Sequence, residues 1–122
     1  MSGKRLYALR GAVQSLNTED DIQKQVVTLY DILLEKNSLA EDDIVSVIFS
    51  QTGDLDALNP AAALRQNGRA KDLALFALRE AETANSLPRI IRVLIHCYLP
   101  EGTQPRHVYR NGAEVLRPDR AG

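Results

Sequence analysis

Cysteine is nearly absent from this chain of 122 residues: Cys97 stands alone, so no disulfide can close within one copy. Histidine is almost as scarce. His96 and His107 are the only two, and no Cys/His grouping has the spacing of a metal site. No glycine-rich phosphate loop and no nucleophile elbow occurs. Charge of one sign is not in excess either. Fifteen cations against sixteen anions leave a net charge of −1, and no basic run points to nucleic acid. The N-terminus carries no apolar signal segment, and no hydrophobic run reaches membrane-spanning length, so a soluble cytoplasmic protein without a membrane partner is the expectation.

The chain is rich in one kind of cation, with eleven arginines to four lysines. Arginine's planar fork makes two parallel hydrogen bonds to a carboxylate, which suits it to reading small anions. GC-rich codon usage is an equally open reading of the bias. The length suits one domain over residues 1–122, with a core modest enough that oligomerisation would help it.

The pattern of elements predicts an α+β fold: one mixed sheet of about five strands, with helices packed on one face. Residues Arg5 to Val13 alternate as a first strand, with Leu6, Ala8, Arg10 and Ala12 on one face, and Gly11 suggests a close backbone approach. Thr18 is a good N-cap, and Glu19, Asp20 and Asp21 place favourable charge in the first turn of a helix. Ile22, Val26, Leu29, Tyr30 and Leu33 recur at helical spacing through Glu35. Residues 38–43 suggest one more short turn, and Ile44 to Ser50 a strand. After a loop over 51–58, Asn59 as N-cap, Pro60 at the first helical position and Gly68 beyond the end mark a short helix. Leu73 to Leu78 reads as a strand. His107 to Arg110 and Ala113 to Leu116 flank Asn111-Gly112, which predicts a tight hairpin.

Residues 87–100, bracketed by Pro88 and Pro100, read as a buried strand with Arg92 in its middle. Alternation puts Arg92 on a face with Ile90, Leu94, His96 and Tyr98, and puts Cys97 on the opposite face as a quiet core thiol. A guanidinium does not neutralise itself by losing a proton, so Arg92 needs an anionic partner. Glu80 or Glu82 is the plain candidate; a ligand is the other. His96 reads as a satisfied structural histidine. Arg10, Arg65, Arg92 and Arg117 are each, taken alone, an ordinary surface or salt-bridge residue. Together with one carboxylate and Tyr109 they suit binding a small polyanion and stabilising charge without covalent catalysis.

Five segments in order carry a family resemblance: Arg10-Gly11-Ala12; Asp54-Leu55 to Asn59-Pro60-Ala61 with Arg65 after it; Glu80 with Ile91-Arg92-Val93; Arg106-His107-Val108-Tyr109; and Leu116-Arg117-Pro118-Asp119. Over nearly its whole length the chain resembles the trimeric α/β-barrel chorismate mutases, as distinct from the all-helical type. The resemblance implies a homotrimeric pseudo-α/β barrel with sites between subunits. It implies an intramolecular Claisen rearrangement of chorismate to prephenate, in the pathway to phenylalanine and tyrosine, that needs no cofactor, acid, base or nucleophile. Arg92 would donate to the ether oxygen, Arg10 and Tyr109 would hold a substrate carboxylate, and Glu80 would accept from the ring hydroxyl. Arg65 and Arg117 would add positive potential and help close the site, with the 59–65 segment meeting the Arg92 cleft of an adjacent chain. Two positions depart from the family pattern. Ala77 stands where a small polar residue near the ring hydroxyl is expected, and Asn59 where an aromatic residue is expected. A non-catalytic trimer binding a small dicarboxylate, and a different small-molecule enzyme on the same scaffold, remain as alternatives.

Overall fold

In the computed structural model, which describes residues 3–116, five strands build one mixed sheet: β1 (Lys4–Gln14), β2 (Ile44–Gln51), β3 (Ala74–Arg79), β4 (Ile90–Pro100) and β5 (Val108–Arg110). Their spatial order is β3-β2-β4-β1-β5. β4 runs antiparallel to β1 and β2, whereas β3 is parallel to β2 and β5 is parallel to β1. Parallel neighbours need a crossover. α2 (Pro60–Gln66) supplies one between β2 and β3, and α1 (Glu19–Lys36) connects β1 to β2.

α1 forms where its pattern predicts. The Thr18 side chain accepts from Asp21 N at the start, and Ile22, Val26, Leu29, Tyr30 and Leu33 turn inward. α2 begins with the Asn59 side chain accepting from Ala61 N, and Pro60 needs no donor at that position. The predicted turn over 38–43 is a short 3₁₀ segment at Glu41–Asp43.

Both helices cover the same face of the sheet. Leu9, Val13, Val47, Phe49, Val93, Ile95, Cys97 and Leu99 point into that layer and join one core with the helical side chains. The suspicion about Gly11 holds: a Cβ there would lie 3.0 Å from Leu33 Cδ1 and 3.1 Å from the Val108 carbonyl oxygen, so the helix sits directly on the strand. The other face carries Leu6, Phe76, Leu78 and Tyr98, all well exposed.

Three expectations need correction. The Arg92 strand is buried on one face only, because the helices pack on one side, and the Arg92 side chain keeps 42 % of its surface exposed. That strand also starts at Ile90, three residues later than expected. Arg89 adopts a left-handed backbone with φ of 52°, with its N–H on the Asp54 carboxylate and its Nε on Ser15 O. Finally, Asn111-Gly112 makes no hairpin. Both residues take positive φ, 51° and 102°, as a tight turn requires, but the chain then coils into a 3₁₀ segment at Ala113–Leu116. Burial decides the outcome. Ala113 is fully buried against Ala12, Ile90 and Tyr109 on the otherwise open face, which a returning strand beside β5 would forgo.

Candidate active site

Strand register assembles the site. Ser50 of β2 pairs with Arg92 of β4, Arg92 pairs with Ala12 of β1, and Ala12 pairs with Tyr109 of β5. These residues form one row across the face that the helices leave open. The next row on the same face holds Ile48, Leu94 and Arg10. Neighbouring strands lie about 4.8 Å apart, so the backbones of Arg92 and Tyr109 are roughly 10 Å apart. A cleft of about 290 Å³ opens over the two rows, lined by Arg10, Gly11, Ile48, Ser50, Arg92, Val93, Leu94 and Tyr109.

The partner of Arg92 is Glu80. Arg92 Nε donates to Glu80 Oε1 at 2.7 Å, while Glu82 pairs with Arg79 instead. The Glu80 side chain is 19 % exposed, and the residue's backbone N–H is fixed on Gln51 O at 2.8 Å. With both side chains partly solvated, the pair itself is worth about 1 kcal/mol or less. Its effect is orientation. Nε is one of five guanidinium donors, and among the described residues the terminal nitrogens of Arg92 make no hydrogen bond. The pair with Glu80 thus leaves the two terminal nitrogens of this cation uncommitted.

Arg10 and Tyr109 are placed by backbone anchors. Arg10 N donates to His107 Nδ1 at 2.9 Å, which ties the segment before β5 to β1. The Asn37 side chain, at the C-terminal end of α1, donates to Arg106 O and accepts from Arg106 N, each at 2.9 Å. That clamp delivers β5, and with it Tyr109, to the cleft. Tyr109 is 4 % exposed, packed on Ala12, Ile90 and Ala113.

The remaining residues lie elsewhere. Asn59 and Ala77 line a separate, larger cleft of about 400 Å³, together with Gln51, Thr52, Asp56, Leu78 and Arg79. Ala77 shares the helical layer, packed against the main core, so within one chain it does not reach the Arg92 cleft. Arg65 is exposed near the end of α2 and lines neither cleft. Arg117 lies outside the described residues. His96 shares a hydrogen bond of 3.0 Å with Ser46 Oγ and takes no part in the cleft. Cys97 is fully buried on the opposite face, and burial, reinforced by the charge of Asp43, pushes its thiol up to about 11. Ser50 is the cleft residue that sequence reasoning passed over. The alternation of β2 marks it: Val47 and Phe49 are buried, so Ser46, Ile48 and Ser50 share the other face.

A family model, chorismate mutase type I, matches residues 6–120. The chain belongs to the chorismate mutase type I family. It is 32 % identical over 117 residues to the chorismate mutase AroH of Bacillus subtilis, covering 93 % of this chain and 91 % of that one. It is 36 % identical over 115 residues to the chorismate mutase AroH of Thermus thermophilus, covering 91 % and 93 %. The solved structure of a chorismate mutase from Clostridium thermocellum superposes with a TM-score of 0.83 at 42 % identity, over 90 % of this chain and 99 % of that one. In this type I chorismate mutase chain, Arg10, Arg92 and Tyr109 stand on one sheet face and α2 on the other.

Proposed function

We propose that this chain catalyses the rearrangement of chorismate to prephenate, and that the cleft over Arg92 is where it does so. The observation that carries the reading is the Arg92 guanidinium, held through Nε by Glu80 while the rest of its fork borders a cleft shared with Arg10 and Tyr109. In the Claisen shift a C–O bond breaks as a C–C bond forms, and negative charge grows on the ether oxygen. Arg92 donates to that oxygen. Arg10 and Tyr109 hold a substrate carboxylate, and Glu80 accepts from the ring hydroxyl.

Magnitudes divide the work. A unit charge about 4 Å from another is worth ~4 kcal/mol at an effective dielectric of ~20. Only the part that grows toward the transition state accelerates the reaction. A millionfold acceleration needs roughly 8 kcal/mol. Arg92 therefore shares the task with the carboxylate clamps, which hold the flexible enolpyruvyl side chain in its folded, reactive shape.

The second half of the site comes from another copy. Asn59, Ala77 and Arg65 stand apart from the Arg92 cleft of their own chain, and the open sheet face exposes Phe76 by 62 %, Leu6 by 50 % and Leu78 by 49 %. An apolar face of this kind is stable when covered. A homotrimer covers it and carries the α2 region of one chain to the Arg92 cleft of the next, where Arg65 and Arg117 add positive potential. Among the described residues no helix is long and apolar enough to cross a membrane. The enzyme works in the cytoplasm on a soluble metabolite.

The deciding assay mixes the protein with chorismate and follows chorismate loss and prephenate appearance. Turnover that disappears in Arg92→Ala, with fold and assembly intact by circular dichroism and light scattering, supports the assignment. A flat trace for the wild type at high enzyme concentration rejects it in favour of a non-catalytic dicarboxylate binder or a different small-molecule enzyme on the same scaffold.

A further inference from the structure

We infer that Ser50 is a positioning residue for Glu80, holding its carboxylate so that one oxygen stays on Arg92 and the other stays available to the ring hydroxyl of the substrate. This rests on the reading of the Arg92 cleft as the chorismate site. Both bonds to the carboxylate fall on the same atom: Oε1 accepts from Arg92 Nε at 2.7 Å and from Ser50 Oγ at 3.4 Å. Among the described residues Oε2 accepts none. The last torsion of a glutamate is broad, so a single N–H contact leaves the plane of the carboxylate free to turn. A second donor on a different strand removes that freedom.

Ser50 is well placed to be that donor. It lies on β2, inside the sheet, and is locked by register to Arg92 on one side and to Leu78 on the other. Leu78 is two residues before Glu80, whose backbone N–H is itself bonded to Gln51 O, next to Ser50. The spacing between the hydroxyl and the carboxylate is therefore set by backbone pairing. The bond is long for O–H···O, whose usual length is about 2.7–2.8 Å. Contacts in free sites are commonly long and tighten when the site fills.

Kinetics of three variants test the assignment. A hydroxyl acting through Glu80 supports binding of the ring hydroxyl in ground state and transition state alike. Ser50→Ala should thus raise KM about fivefold to tenfold with kcat changed less than about twofold. In a Glu80→Ala background the same change should add less than about twofold, because the group it positions is gone. Ser50→Thr keeps the hydroxyl at a strand position that favours β-branching, and should restore KM to within about threefold of wild type. Full additivity with Glu80→Ala, or equal losses in the Thr and Ala variants, overturns the assignment. Crystals of the free protein give a readout independent of turnover. The plane of the Glu80 carboxylate should hold one setting in the wild type and spread over several in Ser50→Ala; an unchanged single setting in the variant overturns it too. Wild-type protein inactive on chorismate defeats the proposed reaction and leaves the crystals to decide on Ser50.

Discussion

Arg92 and Tyr109 stand in one row across the sheet, with only Ala12 between them. The small residue is what lets two long side chains serve one cleft. Ala12 is fully buried, in contact with Ile90, Tyr109 and Ala113. Ala12→Leu should overfill the position at a cost of about 1–3 kcal/mol and push Tyr109 aside. Thermal melts would show that modest loss, and kcat/KM for chorismate should fall by a clearly larger factor. Activity matching the wild type in a destabilised variant would remove Ala12 from the geometry of the site.

Lysine at position 92 keeps the charge and loses the fork. It offers no Nε for Glu80 while also reaching the ether oxygen, so one of the two contacts is abandoned. Arg92→Lys should lower kcat roughly 10²- to 10³-fold, the usual loss for one donor to a developing oxyanion. Stability should barely move, since the native side chain is 42 % exposed. Steady-state kinetics and a melt on the same sample check both halves.

Asp21 links the start of α1 to acid sensitivity. Its Oδ2 accepts from Leu16 N at 2.7 Å and from Ser15 Oγ at 3.1 Å. The backbone bond from Leu16, the largest influence, holds the carboxyl below its usual value against an opposing effect of burial. A carboxyl held down in the folded state binds fewer protons there than in the unfolded chain. Its stabilisation is complete above about pH 4 and fades as pH falls through the lowered folded value. Asp21→Ala should cost about 1–2 kcal/mol at neutral pH, with the melting curves of variant and wild type converging in strong acid. A gap independent of pH would contradict the linkage.

Cys97 should be chemically silent in the native protein. It is fully buried and its thiol titrates near 11, so little thiolate exists at neutral pH. Mass spectrometry after iodoacetamide treatment should find the native chain unmodified and the guanidinium-denatured chain fully alkylated. Rapid native labelling would show the helical layer opening.

Some of this architecture could be read directly from residue order. α1 was legible because Thr18, an acidic first turn and apolar residues at helical spacing all agree locally. The Arg92–Glu80 pair was open to inference because a cation within an apolar run needs an anion and few stood near. The turn at Asn111-Gly112 misled for a physical reason. Its local φ preference was satisfied, but what followed depended on Ala113 finding a distant surface at Ala12 and Ile90. That Ala77 stands apart from the Arg92 cleft of its own chain was hidden in the same way. Its register along β3 turns it toward the helices, and that register is set by parallel pairing with β2, which carries no short-range signal. Ser50 was overlooked because a serine in a strand announces nothing until Arg92 is seen opposite it.

The clamp from Asn37 to Arg106 and the pairing of Val108–Arg110 with β1 join segments 69 or more residues apart in the chain. Local folding of β1 and α1 does not by itself deliver Tyr109, so one wall of the cleft waits on that long-range pairing. Closing so long a span costs chain entropy that only the completed sheet repays, so the cleft should be among the last features to form on refolding.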